Sequence, residues 1–461
     1  MMPSRQQGQA MIMSLILMAF ALMVILFSFN VSQLNIKGTK LQNTADNTAY
    51  SVATLAARDM NFKAYTNRAA VANQVAVAQL VGLSSWFNMA EVFSQNACRV
   101  LCAVPYVGQV VNGIAQVVKG LNQGVQPAIK VLVNVENTVL KAISIAQQSM
   151  HYAGVTAAFD SAGDIVKAND PNARMDLMQN PLLIQDLKNV WVDFQTLQKR
   201  QNRNKGGSQY KDFIGVTLKS RDPFSNKRTY KLPFPWSFHF FPIKAKTYKA
   251  GGSELVSNGN RPESWTSMDT LSVHFSKFRC KRWRCKWRTR EIPAGWGGTV
   301  SDNRAILSRL NDRTYWGSSR GHNRSASNFA AADQVTRGSY DGVQPFYSLS
   351  NSAKGKSETS NILVVVSKKQ DKVRTSNSVP LGGDMVDPAT NEKMLGDRMT
   401  ALAAAQVYYS RPRDLMKSGS AWARKDSKHE YGNLYNPFWQ VRLSQSTQGE
   451  RAAVQALTRL L

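Results

Sequence analysis

The stretch MIMSLILMAFALMVILFSF, from Met11 to Phe29, constrains this chain more than any other. From Gln6 to Ile36 there is no charged side chain, and the apolar run that starts at Ala10 is broken only by Ser14 and Ser28. A helix rising 1.5 Å per residue needs about 20 apolar residues to cross the hydrocarbon layer, so this run just spans one. A cleaved export signal has a shorter apolar region, about 7 to 15 residues, and a small-x-small site directly after it. Here the run exits into FSFNVSQLN, which has no such site, and a retained anchor is expected. Charge does not orient it, because Arg5 and the terminal amine flank one side while Lys37 and Lys40 flank the other.

Past the run the chain is polar and basic. Lysine plus arginine number 58 against 30 acidic residues, a net of +28. Residues 1–190 carry 13 basic and 9 acidic side chains, net +4, whereas the remainder carries 45 and 21, net +24. A field of that sign favours anionic partners such as lipid headgroups, acidic polysaccharide, nucleic acid or an acidic protein, and it equally serves solubility. With 43% hydrophobic and 19% charged residues in 461, wholesale disorder is excluded and there is length for about two or three domains.

Beyond Phe29, apolar or small residues continue at Leu34, Leu41, Ala45, Ala49, Val52, Leu55 and Ala56, a three-and-four spacing that predicts one long helix carried on from the anchor. The segment YVGQVVNGIAQVVKGLNQGV is again helical in period, and Pro127 is expected to open a further helix, AIKVLVNVENTVLKAISIAQQSM. Pro181 and the polar run QKRQNRNKGGSQ, Gln198 to Gln209, read as a linker or long loop. After it DFIGVTLKS, YKLPFPWSFHFFPIKAKTY and NILVVVSKK read as strands, and DRMTALAAAQVYYS as a helix of small residues stopped by Pro412. The expected fold class is therefore α+β. An N-terminal transmembrane helix extends into a long-helix region, followed by a basic β-rich domain with long loops. The boundaries are a short head at 1–9, the membrane helix at 10–29, a mainly helical region at 30–200 and a basic mixed α/β region at 201–461.

Three segments resemble a known family. LQNTADNTAYSVATLAARDMNFKAYTNRAAVANQVAVAQ, Leu41 to Gln79, with the GQA and apolar run before it, is similar to the N-terminal signature of the TadE/TadG-like proteins of Flp (tight adherence) pilus assembly. AAAQVYYSRP, Ala403 to Pro412, and NLYNPFWQVRL, Asn433 to Leu443, resemble C-terminal segments of the large members. The resemblance implies a single-span inner-membrane protein with a cytoplasmic head and a periplasmic body. Its implied partners are other Tad pilus-machine subunits or pseudopilins, and its implied role is pilus biogenesis and surface adherence. Two patterns of the family are missing. The processed members are cut after a glycine and keep a glutamate five residues on, where a count from Gly8 lands on Met13. Some large members carry a DxSxS metal site, and Asp160-Ser161-Ala162-Gly163-Asp164 lacks its second serine, so no metal site is expected.

The cysteines form two local pairs, Cys98 with Cys102 and Cys280 with Cys285. Outside the cytoplasm disulfides are expected. Two local bridges, cross-paired bridges, free thiols and a four-cysteine zinc site all remain open on spacing. Around the second pair, KFRCKRWRCKWRTR interleaves eight cations, Lys277, Arg279, Lys281, Arg282, Arg284, Lys286, Arg288 and Arg290, with Phe278, Trp283 and Trp287. Arginine and aromatics so arranged can hold phosphates and stack on bases or sugars, which makes this the candidate patch for nucleic acid or an anionic envelope glycan. Alternation also fits a half-buried hairpin whose tryptophans pack inward.

Enzyme signatures fail on context, and no catalytic activity or cofactor is expected. Gly317-Ser318-Ser319-Arg320-Gly321 matches GxSxG, but a nucleophile elbow needs an apolar strand before it and a helix after it, and here HNRSASN follows. Gly355-Lys356-Ser357 lacks the upstream glycine of a P-loop, since Ser350 stands there, and His429-Glu430 lacks a second histidine.

Overall fold

The computed structural model describes residues 7–175, 181–199, 208–256, 263–281, 284–307, 319–369, 398–411 and 430–460. Helices α1 (Gln7–Leu101) and α2 (Val107–Asn169) come first, then β1 (Ala173–Arg174), α3 (Pro181–Lys188) and β2 (Gln195–Gln198). Next are α4 (Ser208–Lys219), α5 (Pro223–Asn226), β3 (Tyr230–Lys231), β4 (Phe238–Phe240) and three long strands, β5 (Ile243–Val256), β6 (Ser264–Lys281) and β7 (Arg284–Val300). The chain closes with α6 (Ser319–His322), α7 (Arg324–Ala332), β8 (Val335–Thr336), β9 (Phe346–Leu349), β10 (Ile362–Lys369), β11 (Arg398–Tyr409), β12 (Trp439–Ser444) and α8 (Gln448–Leu460). The expected α+β class, with a long apolar N-terminal helix leading to a sheet-rich region, is what the chain forms.

Two compact units share these elements. The first takes the described residues within Met1–Ala64, Ser149–Thr196 and Leu349–Leu461, and the second those within Tyr65–Gln148 and Leu197–Ser348. In the first unit β1, β10, β11 and β12 form an antiparallel sheet in that order. The α1 face made by Leu41, Ala45, Ala49, Val52, Ala53, Ala56 and Met60 is at most 1% exposed, whereas Leu34 and Leu55 of the spaced set are half-buried. Gln42 of α1 donates to the Leu402 carbonyl at 2.9 Å, and Asn61 exchanges hydrogen bonds with the Trp439 backbone at 2.9 and 3.0 Å.

The helix expected over DRMTALAAAQVYYS is instead the strand β11, paired from Ile362↔Ala405 through Lys369↔Arg398 with β10 and on its other edge with β12. Alanine favours helix locally. Ladders on both edges and burial of Ala401, Ala403, Ala404, Ala405 and Val407 outweigh that preference. NILVVVSKK forms β10 as expected.

The second unit is built on a sheet in the order β3-β5-β6-β7-β8, with β4 also on β5. Strands β5, β6 and β7 run antiparallel, and a bulge falls between Leu271 and Ser272. Glycine lets helices close on both faces of β7: a Cβ on Gly297 would overlap the Ser85 carbonyl of α1, and one on Gly298 the Ala330 carbonyl of α7. DFIGVTLKS, expected as a strand, lies in helix α4. Its Tyr210, Phe213 and Thr217 recur at three and four residues and are buried, and Phe213 stacks on Phe346 with centroids 4.3 Å apart. That packing overrides the β-branched composition.

Pro127 does not open a new helix, because α2 runs through it. A proline inside a helix forfeits one hydrogen bond at a cost of about 3 kcal/mol. Contacts on either side hold the helix together: Asn122 donates to Glu91 at 2.5 Å, Gln126 donates to Asn88 at 3.0 Å, and Ile129 is buried.

Candidate functional site

The candidate patch occupies the end of the β6–β7 hairpin. Both local cysteine pairs are disulfides, with Cα atoms 4.8 Å apart for Cys98–Cys102 and 4.0 Å for Cys280–Cys285, and the second staples β6 to β7 where the strands meet. The register sets Lys277 opposite Arg288 and Arg279 opposite Lys286. Directly opposed residues share a face with Cβ atoms about 5 Å apart, and like charges so placed repel. All four are exposed, and among the described residues no acidic side chain forms an ion pair with any of them. Arg290, next along the same face of β7, is exposed as well.

The opposite face of the ribbon carries the aromatics. Phe278 and Trp287 are a cross-strand pair packed edge-on at 5.3 Å, and His239 of β4 meets the same indole at 5.4 Å. Lys244 Nζ sits 4.3 Å from the centre of that ring, a cation–π contact. The inward packing expected of the tryptophans therefore holds for Trp287, which is half-buried. The side chains of Lys281, Arg282, Trp283 and Arg284 lie outside the described residues.

Sequence reasoning took YKLPFPWSFHFFPIKAKTY as a strand and missed the exposed aromatics it sets beside the hairpin, in β4 and the turns that flank it. Phe234, Trp236, Phe240 and Phe241 are between 52% and 75% exposed, and register places Phe240 beside Ile243, Lys277 and Arg288 in one row across the sheet. Their signal is the run PFPWSFHFFP, where aromatics are too dense for a single-sided strand and prolines deny ladder hydrogen bonds.

Two buried charge clusters were also invisible in sequence. In the second unit Asp269 accepts from Arg228 through both oxygens at 2.9 and 2.6 Å, and from Lys249 and Ser85. Burial works to raise the Asp269 pKa, but the Arg228 and Lys249 charges reverse that and hold it at about 2. Gly251 leaves the space this carboxylate fills. In the first unit Lys63 donates to Asp59 at 2.6 Å and Gln195 at 2.7 Å and lies 2.7 Å from His151 Nδ1. Burial pulls Lys63 down to about 8. Burial also opposes the charge on Asp59, but hydrogen bonding from His151 and the Lys63 charge overcome it and keep Asp59 below the usual carboxylate range. Each cluster sets a buried carboxylate directly against its cations, and each partner is needed by the other.

The remaining sequence candidates resolve as structure. Helices α6 and α7 do follow the GxSxG stretch, where HNRSASN read as non-helical, but Ser319 is buried and donates to the Ala250 carbonyl at 2.8 Å, a tie between α6 and β5. Gly355 stands in a turn at φ +82°, and the Ser357 hydroxyl accepts from the Gly432 backbone N–H at 3.2 Å. Among the described residues no three His, Cys, Asp or Glu side chains converge as metal ligands.

The N-terminal run is the second feature facing outward. Its side chains from Met11 to Phe20 are more than half exposed wherever they are large and apolar, and α1 is the one described helix with a stretch long and apolar enough to cross a membrane. Set against known proteins, residues 8–58 match the Tad family model, Flp pilus-assembly TadE/G-like. No curated protein and no solved structure matches the chain. The matched segment takes in the apolar run and α1 as far as Arg58, so the family likeness and the membrane-length stretch coincide.

Proposed function

We propose that this chain is a membrane-anchored structural component of a Flp (Tad) pilus system. Met11–Phe29 holds it in the inner membrane, and its basic body lies on the periplasmic side, against other pilus-machine subunits or pseudopilins. One coincidence carries the reading: the Tad match begins with an uncovered membrane-length run and continues into a helix whose next face is fully packed into the body. A chain so built holds a folded unit at a membrane surface. It offers scaffolding rather than chemistry.

Deleting the gene is expected to abolish surface pili, counted by electron microscopy of sheared filaments, with recovery from a plasmid copy. Normal pilus numbers in the deletion strain would overturn the reading.

A second role rests on the like-charge pairs of the hairpin. Lys277 against Arg288 and Arg279 against Lys286 repel each other unless an anion lies across them. We infer that this face takes a polyanion, nucleic acid or an acidic envelope glycan, with Trp287 and Phe278 bracing the ribbon from behind. Contacts with about four phosphates predict affinity falling with a log–log salt slope near −3 for a single strand. Lys277→Ser with Arg279→Ser should cut that slope by about half in a filter-binding titration. An unchanged slope, or no binding at low salt, removes the role.

A further inference from the structure

The α2 helix is apolar on two faces, one more than a helix with one partner needs. Within the second unit its inward face carries Asn122, Gln126, Asn137, Ser144 and Gln147, each at most 7% exposed. Each is tied by a hydrogen bond, Asn137 to the Ser339 carbonyl, Ser144 to the Pro345 carbonyl and Gln147 to Asn67 among them. Its outward face carries Val107, Val110, Ile114, Val117 and Leu121 in strict three-four alternation. After Gly124 and Ala128 the same count lands on Val131, Val135 and, at the end, Ile145. These eight are between 46% and 63% exposed. A surface helix ordinarily turns its apolar stripe to the core and its amides to water. Here Ile129, Val133 and Leu140 are buried on the inward face together with those polar side chains, and a second apolar stripe lies outside.

We propose that this stripe is a coiled-coil seam for a second copy of the chain, the two α2 helices lying parallel and in register. The period argues for a helix as occupant. A straight helix drifts about 20° per heptad against a 3.5-residue repeat, so a stripe selected to lie on lipid would follow 3.6 residues per turn. From Val107 to Val135 the apolar and small positions keep a repeat of seven, the condition for knobs-into-holes packing, and beyond it Thr138 interrupts the count while the exposed Leu132 and Val139 widen the stripe on one side.

Charge argues for the same chain. A copy of a molecule with net charge +28 is repelled from most approaches, but none of the charged residues of this stretch, Lys119, Lys130, Glu136 and Lys141, falls on the seam. At Gly124, near its middle, a Cβ would meet nothing within 4 Å, which leaves room for a facing helix to come close.

Size fits as well. Thirty-nine residues extend roughly 58 Å, and a strip about 10 Å wide buries on the order of 600 Å² per copy, at the lower edge of a specific dimer. Two chains inserted through the same N-terminal run meet at raised effective concentration, so a modest interface suffices. The parallel sense rests on the proposed membrane anchor.

The test uses the full-length chain in native membranes, carrying Val117→Cys or Val131→Cys, with Gln123→Cys off the seam as control. After oxidation, most of the Val117→Cys and Val131→Cys protein is expected at twice the 51.2 kDa chain mass, with two differently tagged copies co-isolating, and the control is expected to stay monomeric. Adding Val117→Glu and Leu121→Glu to the Val131→Cys chain should abolish its crosslinking while leaving the protease pattern unchanged, because both positions are exposed. No dimer from either seam position, equal crosslinking of the control, or a product containing a different protein would overturn the second copy as occupant. Membrane retention is scored in the same samples, so loss of the anchor and loss of the pair are read separately.

Discussion

Replacing Asp269 by alanine is expected to unfold the second unit. The substitution removes the one carboxylate that Arg228 and Lys249 share, and these two cations are 6% and 4% exposed at their side chains. Breaking a buried pair from one side costs about 3–5 kcal/mol, because the charge left behind cannot reach water. Here two charges are left, in a fold whose whole stability is on the order of 5–15 kcal/mol. Limited proteolysis of the detergent-solubilised chain should show new cleavages confined to Tyr65–Gln148 and Leu197–Ser348. Adding Lys249→Met to Asp269→Ala should restore part of the protection, since it removes one stranded cation. The same carboxylate sets an acid limit. Its folded pKa of about 2 lies below the usual value near 3.9, so its stabilisation is present above about pH 4 and lost as pH falls through 2. A single variant that stays fully protected would show that the cluster contributes nothing to holding the unit together.

How much of this could be read in the chain depends on the range of the contacts involved. Helix α1 was legible because its evidence is local: a membrane-length run, then apolar or small residues at Ala45, Ala49, Val52 and Ala56 repeating on one face. NILVVVSKK was legible for the same reason. The alanine-rich strand β11 was misread because only partners distant in sequence make it a strand, and DFIGVTLKS was misread because its burial at Tyr210, Phe213 and Thr217 outweighs its β-branched composition. The basic hairpin was legible as a pattern, but its division into a cationic face and an aromatic face follows from register. Asp269 could not be found at all, since its partners Arg228 and Ser85 lie 41 and 184 residues away. The α2 seam sits between these cases. Its three-four count is in the sequence, yet nothing local says which side faces out.

Lysines at Leu17 and Ala21 are expected to release the chain from the membrane while leaving its body folded. The two positions lie one turn apart near the middle of the apolar run, too far from either end for a lysine amine to reach the headgroups easily. At the centre of a membrane helix each lysine costs about 2.5–3.5 kcal/mol, so the pair costs roughly 5–7 kcal/mol, enough to reverse a marginal insertion. No residue in the most apolar part of this helix is buried against the rest of the protein, so the substitutions remove no folding contact. The outcome separates the anchor from an export signal. If the run is retained, the unaltered chain pellets with membranes through carbonate extraction and keeps its N-terminal residues, whereas the double-lysine chain appears in the soluble fraction with the same protease fragments. If the unaltered chain is instead soluble and begins beyond Phe29, the run is a signal that is cut away, and the periplasmic scaffold reading loses its attachment to the bilayer.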